Sequence, residues 1–506
     1  MTAGKAELDG KLITRGDGKA MLLLLLYSFV LLFFISTDSY LYDLYYHLDT
    51  PAFYIAGKAW MCGMLPYSDF ADAKGPLLWL IYGIGYLLSH HSYVGVFWLS
   101  VPIFTVTLFA AYKLCRLYVD KNVSAVATAA LPFFLLCFHY EMKAECFCSP
   151  FVMLALYCSC RILRQRDSGT STYFKLSALM GVCSMCCVLM KYNIGCMIMS
   201  LMAVVLYMAA RHNAGWQSFA GMAIGFVAPA VPFIICFLIC GNMDAFVHEY
   251  FLNTFETIEN KGGSFPYKML PFLVPDFIGL LYFSKKYDTG YWLVPCALLF
   301  FAGAGCQGGG YYYRPLLCFY IFFFIALFDF VLYKLPALKK HVPALCVAMG
   351  IVTLGTNIYV FFARYYYKNN EEVRASYYQA AYVMSQIKDA KVMYGGCDTG
   401  IGVAAGTLPA GRYWIGQTGL TEEMRIRREK DLKECIPDFV CVGSNDEKMG
   451  KEIEGCGYVF YCYAPMYYIV GRESIAVYGR PGLRLPPEDF QVSQWDVWLK
   501  RNIFGI

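Results

Sequence analysis

Six ionisable residues stand beside apolar runs of this sequence and could take part in chemistry. The acids are Asp49, Asp72 and Glu145, and the cations are Lys74, Lys191 and Arg314. A carboxylate can accept the proton of an attacking hydroxyl group and so act as a general base. A lysine or arginine can stabilise the negative charge that develops on a leaving phosphate group. Because ionisable side chains are costly at a membrane, these residues predict a functional site rather than ordinary surface charge.

The composition places these residues in a protein that crosses a membrane many times. Of the 506 residues, 58% are hydrophobic and 16% are charged, whereas a soluble chain carries roughly a quarter charged residues. Apolar runs of roughly 17 to 25 residues recur along the chain and predict transmembrane helices. The net charge of +5 is mild, and the basic residues cluster between apolar runs. This pattern indicates membrane topology and not the binding of nucleic acid.

The 22 cysteines do not predict a metal site. Most of them lie inside apolar runs, where a thiol behaves as a small apolar side chain. Cys146 and Cys148, like Cys158 and Cys160, are two residues apart. That spacing is poorly suited to ligating one metal from a single helix face.

Basic clusters alternate with apolar runs and predict the topology. Residues 1–19 are expected to form a cytoplasmic tail, and residues 20–364 a transmembrane domain of about 11 spans. The apolar run 77–88 is too short to cross, so we interpret it as a re-entrant or surface helix on the outer side. With this orientation, all six ionisable residues lie on the outer side. The cations Lys74, Lys191 and Arg314 lie at the outer ends of different spans.

The first outer loop, residues 37–92, is expected to carry the catalytic residues. It combines acids with tyrosines, glycines and prolines, yet it is too aromatic and aliphatic for a disordered linker. Apolar positions around Ile55 and Ala59 recur at helical spacing. We interpret the loop as short amphipathic helices on the membrane surface, with the acids facing a polar cavity. The alternative is an interfacial aromatic belt with solvated acids.

A change of composition near residue 369 predicts a small external α/β domain over residues 369–506. The stretch EEVRASYYQAAYVMSQIKD predicts an amphipathic helix with acids in its first turn, and a charged helix is predicted near residues 422–434. The predicted β-rich segments are AKVMYGG, PDFVCVG, YVFYCYA and YYIVG. The closing residues 486–506 carry aromatics and a basic pair, which fits a segment lying against the membrane.

Two stretches resemble a known family. LDTPAFYIAGKAWMCGMLPYSDFADAKGPLLW resembles the first outer loop of the GT-C fold glycosyltransferases, above all the bacterial relatives of protein O-mannosyltransferases and of the lipid A aminoarabinose transferase. The matching positions are Asp49, Gly63, Pro66, Tyr67, Asp69, Phe70, Asp72, Lys74 and Pro76. KAECFCSPFVMLALY resembles the family's second acidic site, with Glu145 in its place, and Lys191 in LMKYN resembles a recurrent basic position. Thr50 and Ala73 depart from the family, where glutamate and histidine are common, and this leaves the donor sugar and the acceptor open.

The resemblance implies a polytopic α-helical membrane protein with a GT-C-like transmembrane body and a small C-terminal external α/β domain. It implies inverting transfer of a sugar from a polyprenyl-phosphate donor to a lipid, glycan or protein acceptor. The reaction is expected on the periplasmic face of a bacterial inner membrane, with a cytoplasmic N-terminus and a periplasmic C-terminus. The implied roles are base for Asp49, phosphate binding for Lys74 with Lys191 or Arg314, and orientation of the cations or the sugar for Asp72 and Glu145. No cofactor is obligatory in this scheme, and the residues do not decide whether a divalent metal is used.

Each candidate residue also has a purely structural interpretation. Asp49 could cap the helix that follows it, and Lys74 could extend along apolar surface to the membrane interface. Glu145 could pair with Lys143 or Arg314 for stability. Arg314, which follows three tyrosines, could anchor an aromatic belt.

A transporter or lipid flippase is the alternative class of protein, because it too could use charges within a membrane. The sequence has no inverted internal repeat and no pair of interrupted apolar segments in corresponding halves, which many transporters have. The charges also gather on one side rather than along a path. A scaffold without activity would not require so many spans. We therefore expect a glycosyltransferase.

Overall fold

The computed structural model describes residues 17–42, 49–90, 92–136, 142–164, 170–253, 267–287, 289–305, 310–365, 371–397, 399–416, 420–444, 446–465 and 474–483. Most of the predicted tail, the β-rich segment YYIVG and the closing residues 486–506 lie outside the described residues. The chain divides into two compact units. The first unit comprises Met1–Ser36, Ser100–Phe233 and Gly263–Tyr359, and the second comprises Thr37–Leu99, Ile234–Gly262 and Val360–Ile506.

Helices form most of the described chain before the C-terminal region. The α-helices there are α1 (Asp17–Ile35), α2 (Thr50–Met61), α3 (Pro76–Leu88), α4 (Val94–Tyr118), α5 (Lys121–Ala130), α6 (Pro132–Leu135), α7 (Ala144–Arg164), α8 (Thr170–Val188), α9 (Tyr192–Arg211), α10 (Gly215–Val227), α11 (Val231–Ile239), α12 (Met243–Phe246), α13 (Leu273–Tyr287), α14 (Gly290–Gly305), α15 (Arg314–Leu317), α16 (Tyr320–Lys334) and α17 (Val342–Tyr365). A π-helical segment, Val247–Leu252, follows α12, and 3-10 segments at Tyr267–Phe272, Gly310–Tyr313 and Pro336–His341 precede α13, α15 and α17.

The predicted multi-pass helical architecture is confirmed. Within the described ranges, eight helices are long and apolar enough to cross a membrane. Shorter apolar helices lie at Lys121–Leu135, Gly290–Gly303 and Pro76–Leu88. The first two of these, together with α13, correspond to the remaining predicted spans. The third is the segment predicted as an outer re-entrant or surface helix.

Small residues let two helices of the first unit approach closely. A Cβ atom at Gly225 of α10 would lie 1.9 Å from the carbonyl oxygen of Ala178 on α8. One turn earlier, a Cβ atom at Gly221 would lie 2.4 Å from the carbonyl oxygen of Phe174. A glycine four residues from another is a frequent contact between membrane helices, because it allows backbones to pack against each other. The sequence GMAIG therefore fixes α10 against α8.

In the second unit, α2 and α3 of the first outer loop pack through glycine as well. A Cβ atom at Gly57 would lie 2.5 Å from the backbone nitrogen of Gly83. Both helices carry proline in their first turn, where its missing N–H leaves no helical hydrogen bond unmade. The apolar stripe that predicted α2 is buried, with Ile55 and Ala59 at 1% and 0% exposure. The predicted helix is confirmed.

The C-terminal part of the second unit is a mixed sheet with helices. Its helices are α18 (Glu371–Ser385), α19 (Gly400–Ala405), α20 (Glu422–Lys433) and α21 (Glu447–Gly455), and its strands are β1 (Lys391–Gly395), β2 (Leu408–Pro409), β3 (Ile415–Gly416), β4 (Phe439–Gly443), β5 (Val459–Pro465) and β6 (Ser474–Gly479). The strand order is β2-β1-β4-β6-β5, with β3 also on β1. β1 pairs in parallel with β2, β3 and β4, whereas β6 runs antiparallel between β4 and β5.

The predicted small α/β region is confirmed at the level of its elements. Three β-rich segments form β1, β4 and β5, and the two predicted helices form α18 and α20. The strand β6 was not predicted. Its central residues are buried, and its pairing with β4 and β5 depends on contacts that are distant in sequence. The domain boundaries at residues 19, 364 and 369 stay a prediction.

Candidate active site

In the first unit, Glu145 and Lys191 form a buried ion pair. The Nζ atom of Lys191 donates a hydrogen bond to Oε1 of Glu145, and the two residues are 7% and 2% exposed. Glu145 lies in the first turn of α7, where an acid interacts favourably with the helix dipole. Lys191 stands immediately before α9. The structure therefore gives Glu145 an ion-pair partner, Lys191, that the structural alternative did not include.

Two further cations lie near this pair. Arg314 is 1% exposed, and its guanidinium donates to Sγ of Cys146, the neighbour of Glu145. Lys143 is 4% exposed and lies two residues before Glu145. The Lys191 ammonium also lies 3.9 Å from the centre of the Tyr312 ring, in cation–π geometry.

The buried charged side chains described so far comprise three cations and one carboxylate, which are Lys143, Lys191, Arg314 and Glu145. Lys191 and Arg314 each stand at the N-terminus of a helix, where the helix dipole disfavours positive charge. Cations held there against the dipole create a positive potential that suits a phosphate or another anion. Arg314 is enclosed within its unit, so it is not the exposed anchor of an aromatic belt.

The second unit contains the other three predicted residues on and beside the first outer loop. Asp49 stands at the start of α2, but its side chain accepts no capping hydrogen bond from that helix. The Lys74 ammonium lies 5.3 Å from the centre of the Phe53 ring, and the Phe53 N–H donates to the carbonyl of Asp49 at 3.3 Å. Lys74 thus contacts the first turn of α2 through the Phe53 ring, and Asp49 is the residue that precedes that turn. Asp72 accepts a 2.6 Å hydrogen bond from the N–H of Ala73.

Tyr67 gives the loop that carries Asp72 and Lys74 its shape. It has a positive φ of 68°, a conformation that a bulky residue adopts only when its surroundings impose it. Its N–H donates to the carbonyl of Phe70 at 2.7 Å, and its hydroxyl donates to the carbonyl of Lys74 at 2.9 Å. Burial, with nearby Tyr250 and Asp72, raises the pKa of Tyr67 well above its ordinary value. The hydroxyl therefore remains a donor at any working pH.

The C-terminal region of the same unit binds this loop directly. The carbonyl of Arg412 accepts the N–H of Ala71 at 2.8 Å, and the Arg412 Nε donates to the carbonyl of Ser68 at 3.1 Å. The Arg412 guanidinium also pairs with Glu249 at 3.3 Å, and the Tyr413 hydroxyl donates to the same carboxylate at 2.8 Å. Glu249 is 4% exposed and lies in the π-helical segment. One arginine therefore ties the first outer loop and the π-helical segment to the α/β region.

Two residues that hold the second unit together, Arg412 and Lys58, were not identified from the sequence. Arg412 lies in the loop between β2 and β3, and nothing in the local pattern marks it. Lys58 on α2 is 5% exposed and donates to Asp389 at 2.9 Å and to the carbonyl of Gly406. A signal for Lys58 existed, because it is a lysine within the apolar stripe of α2. His248, with a side chain 48% exposed, lies 3.6 Å from Glu249.

Two comparisons identify proteins that are similar to this chain. Residues 73–238 match the family model described as dolichyl-phosphate-mannose-protein mannosyltransferase. The structure resembles ArnT from Cupriavidus metallidurans bound to undecaprenyl phosphate, with a TM-score of 0.61 and 11% identity over 91% of this chain and 98% of that chain. The apo form of that ArnT gives a TM-score of 0.57 and 12% identity over 93% of this chain and 100% of that chain. No curated protein matches the sequence.

The chain has the GT-C fold, and one part of it matches a mannosyltransferase family model. The family match includes Lys74, Glu145 and Lys191, and it excludes Asp49, Asp72 and Arg314. At 11% identity, the similarity to ArnT shows the fold of this chain and not its substrates. The substrates of this chain have to be argued from its own residues. Both matches are to glycosyltransferases, and nothing in them favours a transporter. Among the described residues, no three His, Cys, Asp or Glu side chains converge as they would to hold a metal ion.

Proposed function

We propose that this GT-C glycosyltransferase transfers a sugar, with inversion, from a polyprenyl-phosphate donor to a hydroxyl group of a lipid, glycan or protein acceptor. The observation that carries the proposal is the position of the Lys74 ammonium over the first turn of α2, the turn that Asp49 begins. A cation and a carboxylate so placed supply the two functions that the reaction requires. The ArnT of similar fold is bound to undecaprenyl phosphate, which supports a lipid phosphate as the carrier.

Asp49 acts as the general base. It takes the proton of the acceptor hydroxyl while the hydroxyl oxygen attacks the anomeric carbon of the sugar. The bond between that carbon and the phosphate oxygen breaks, and the phosphate leaves on its polyprenyl chain. Attack from the face opposite the leaving group inverts the anomeric centre. The Asp49 side chain makes no capping hydrogen bond to α2, so helix capping does not account for this residue.

Lys74 stabilises the leaving phosphate, where negative charge increases as the bond breaks. Asp72, two residues away on the same loop, keeps Lys74 oriented. In the first unit, Lys191 and Arg314 provide cationic charge for a lipid phosphate, and Glu145 orients Lys191 through their ion pair.

The test compares Asp49→Asn with Asp49→Ala in purified protein supplied with sugar-charged polyprenyl phosphates. Asparagine keeps the size of the side chain and caps a helix about as well as aspartate, but it cannot accept the proton. We expect Asp49→Asn to fold and bind donor normally while turnover falls by roughly two to four orders of magnitude. If asparagine restores the activity that alanine removes, Asp49 has a structural role and another carboxylate is the base.

We also propose that the active face is periplasmic in a bacterial inner membrane, with a cytoplasmic N-terminus. The basic residues between spans support this orientation. A topology reporter fused after Lys340 should read cytoplasmic, and one fused after Lys368 periplasmic. Reporters that read the same side would contradict the orientation.

A further inference from the structure

The second unit contains a pocket that the proposed chemistry does not use. Its volume of about 700 Å³ lies within the range of small-molecule binding sites. One wall comes from the first outer loop at Met64, Ser68 and Asp69, and another from the loop between β2 and β3. The third wall of the pocket is one face of α20.

The face of α20 combines apolar and charged groups. Glu423, Ile426, Arg427 and Lys430 follow the spacing of one helix face and all line the pocket. Ile426 is 59% exposed although it is a large apolar residue. A saccharide offers matching chemistry, since its C–H faces pack on apolar side chains and its hydroxyl groups bond to carboxylates and cations.

The charges of the pocket favour an anion on that saccharide. The lining holds four cations and two acids, which are Lys391, Arg412, Arg427, Lys430, Asp69 and Glu423. Arg412 is paired with Glu249, and Arg427 with Asp431 at 3.2 Å. Lys430 lies 3.6 Å from Glu434, but both side chains are more than half exposed, so this pair is weak and leaves Lys430 available to a ligand. Lys391 is exposed and forms no ion pair with any residue that the structure describes. Its ammonium is therefore the group best placed to bind a carboxylate or phosphate.

The pocket is physically continuous with the loop of the candidate active site. Arg412 lines the pocket and holds Ser68 and Ala71 through hydrogen bonds of 3.1 and 2.8 Å. Asp69 lines the pocket from the same loop, three residues before Asp72. A ligand in the pocket thus contacts the segment that carries the phosphate-binding lysine.

We propose that this pocket binds the acceptor, as a saccharide that carries an anionic group. The proposal rests on the glycosyltransferase function proposed above and specifies its acceptor. Lys391 and Lys430 bind the anionic group, Asp69 and Glu423 accept hydroxyl groups, and Ile426 packs against the sugar ring.

The test measures binding of glucose 6-phosphate to the full-length protein in detergent, with glucose and inorganic phosphate as separate arms. We expect Lys391→Ala and Lys430→Ala to weaken glucose 6-phosphate binding by about tenfold each, through loss of a charge-assisted hydrogen bond. Lys433→Ala is the matched control, because Lys433 lies on α20, is 64% exposed, pairs with Glu429 and does not line the pocket. Glucose and inorganic phosphate should each bind more weakly than glucose 6-phosphate.

Three results would overturn the inference. They are no measurable binding of glucose 6-phosphate, equal weakening by Lys433→Ala, and phosphate binding as tightly as the sugar phosphate. The proposed function is assayed separately, by consumption of sugar-charged polyprenyl phosphate in the wild-type protein. Donor consumption without saccharide binding rejects the pocket alone, whereas saccharide binding without donor consumption rejects the transferase reaction.

Discussion

The two units hold their candidate residues in different ways. In the first unit, Glu145, Lys191 and Arg314 are at most 7% exposed, and the acid and one cation are bound to each other. In the second unit, Asp49 and Lys74 are partly exposed and are held by loop and helix backbone and by aromatic contact. A buried charge whose hydrogen bonds go to fixed side chains supports the fold, whether or not it also binds a ligand. A charge that stays partly exposed is accessible to a substrate.

The difference has an energetic basis. Two charges removed from water lose their hydration, and only good mutual geometry compensates for that loss. The buried pair therefore gives little net stability, yet it makes the removal of either member destabilising. A partly exposed lysine keeps most of its hydration, so its removal has a small effect on the fold. Removal of a charged side chain is therefore expected to destabilise the first unit strongly and the second unit little.

The largest expected effect on stability is that of Glu145→Ala. Loss of this carboxylate leaves the buried Lys191 without its anion and should lower the free energy of unfolding by about 3–5 kcal/mol. Glu145→Gln combined with Lys191→Met removes both charges at similar volume and should recover most of that loss. Thermal unfolding of the purified protein measures both changes.

The control for this prediction is Glu429→Ala. Glu429 pairs with Lys433 at 2.6 Å, but both side chains are more than 60% exposed, so we expect no measurable shift in the unfolding temperature. If Glu145→Ala is as harmless as Glu429→Ala, the buried pair is not a structural element. Glu145 would then belong with Asp49 among the residues available to substrate.

The sequence predicted the second unit's loop better than the contacts that hold it. The spacing around Ile55 and Ala59 predicted α2, and the run of acids with Lys74 marked the segment that contacts it. These signals are local, because helical periodicity and motif spacing depend on neighbours in the chain. The role of Arg412 could not be predicted, since Ser68 and Glu249 are distant from it in sequence.

In the first unit too, contacts between residues that are distant in sequence were not predicted. Glu145 and Lys191 were each predicted as functional, but their pairing was not, because it joins the start of α7 to the residue before α9. The helix α7 also begins at Ala144, so its first turn, which carries Glu145, precedes the apolar part of the helix. Sequence periodicity locates a membrane helix well, whereas a polar first turn such as that of Glu145 is hidden from it.

The smallest expected effect on stability, and the sharpest contrast with Glu145, belongs to Lys74→Ala. Lys74 is partly exposed and lies 5.3 Å from the centre of the Phe53 ring, a cation–π contact that contributes about 0.5–1 kcal/mol at exposed sites. We therefore expect the unfolding temperature to change little, while the KM for the polyprenyl-phosphate donor rises and turnover falls. Lys74→Arg keeps the charge but changes its reach and geometry, so it should restore activity only in part. Kinetics and thermal unfolding measured on the same preparations separate the two effects. Full activity in Lys74→Ala would remove this lysine from the mechanism, and unfolding as severe as that of Glu145→Ala would make it a structural charge like those of the first unit.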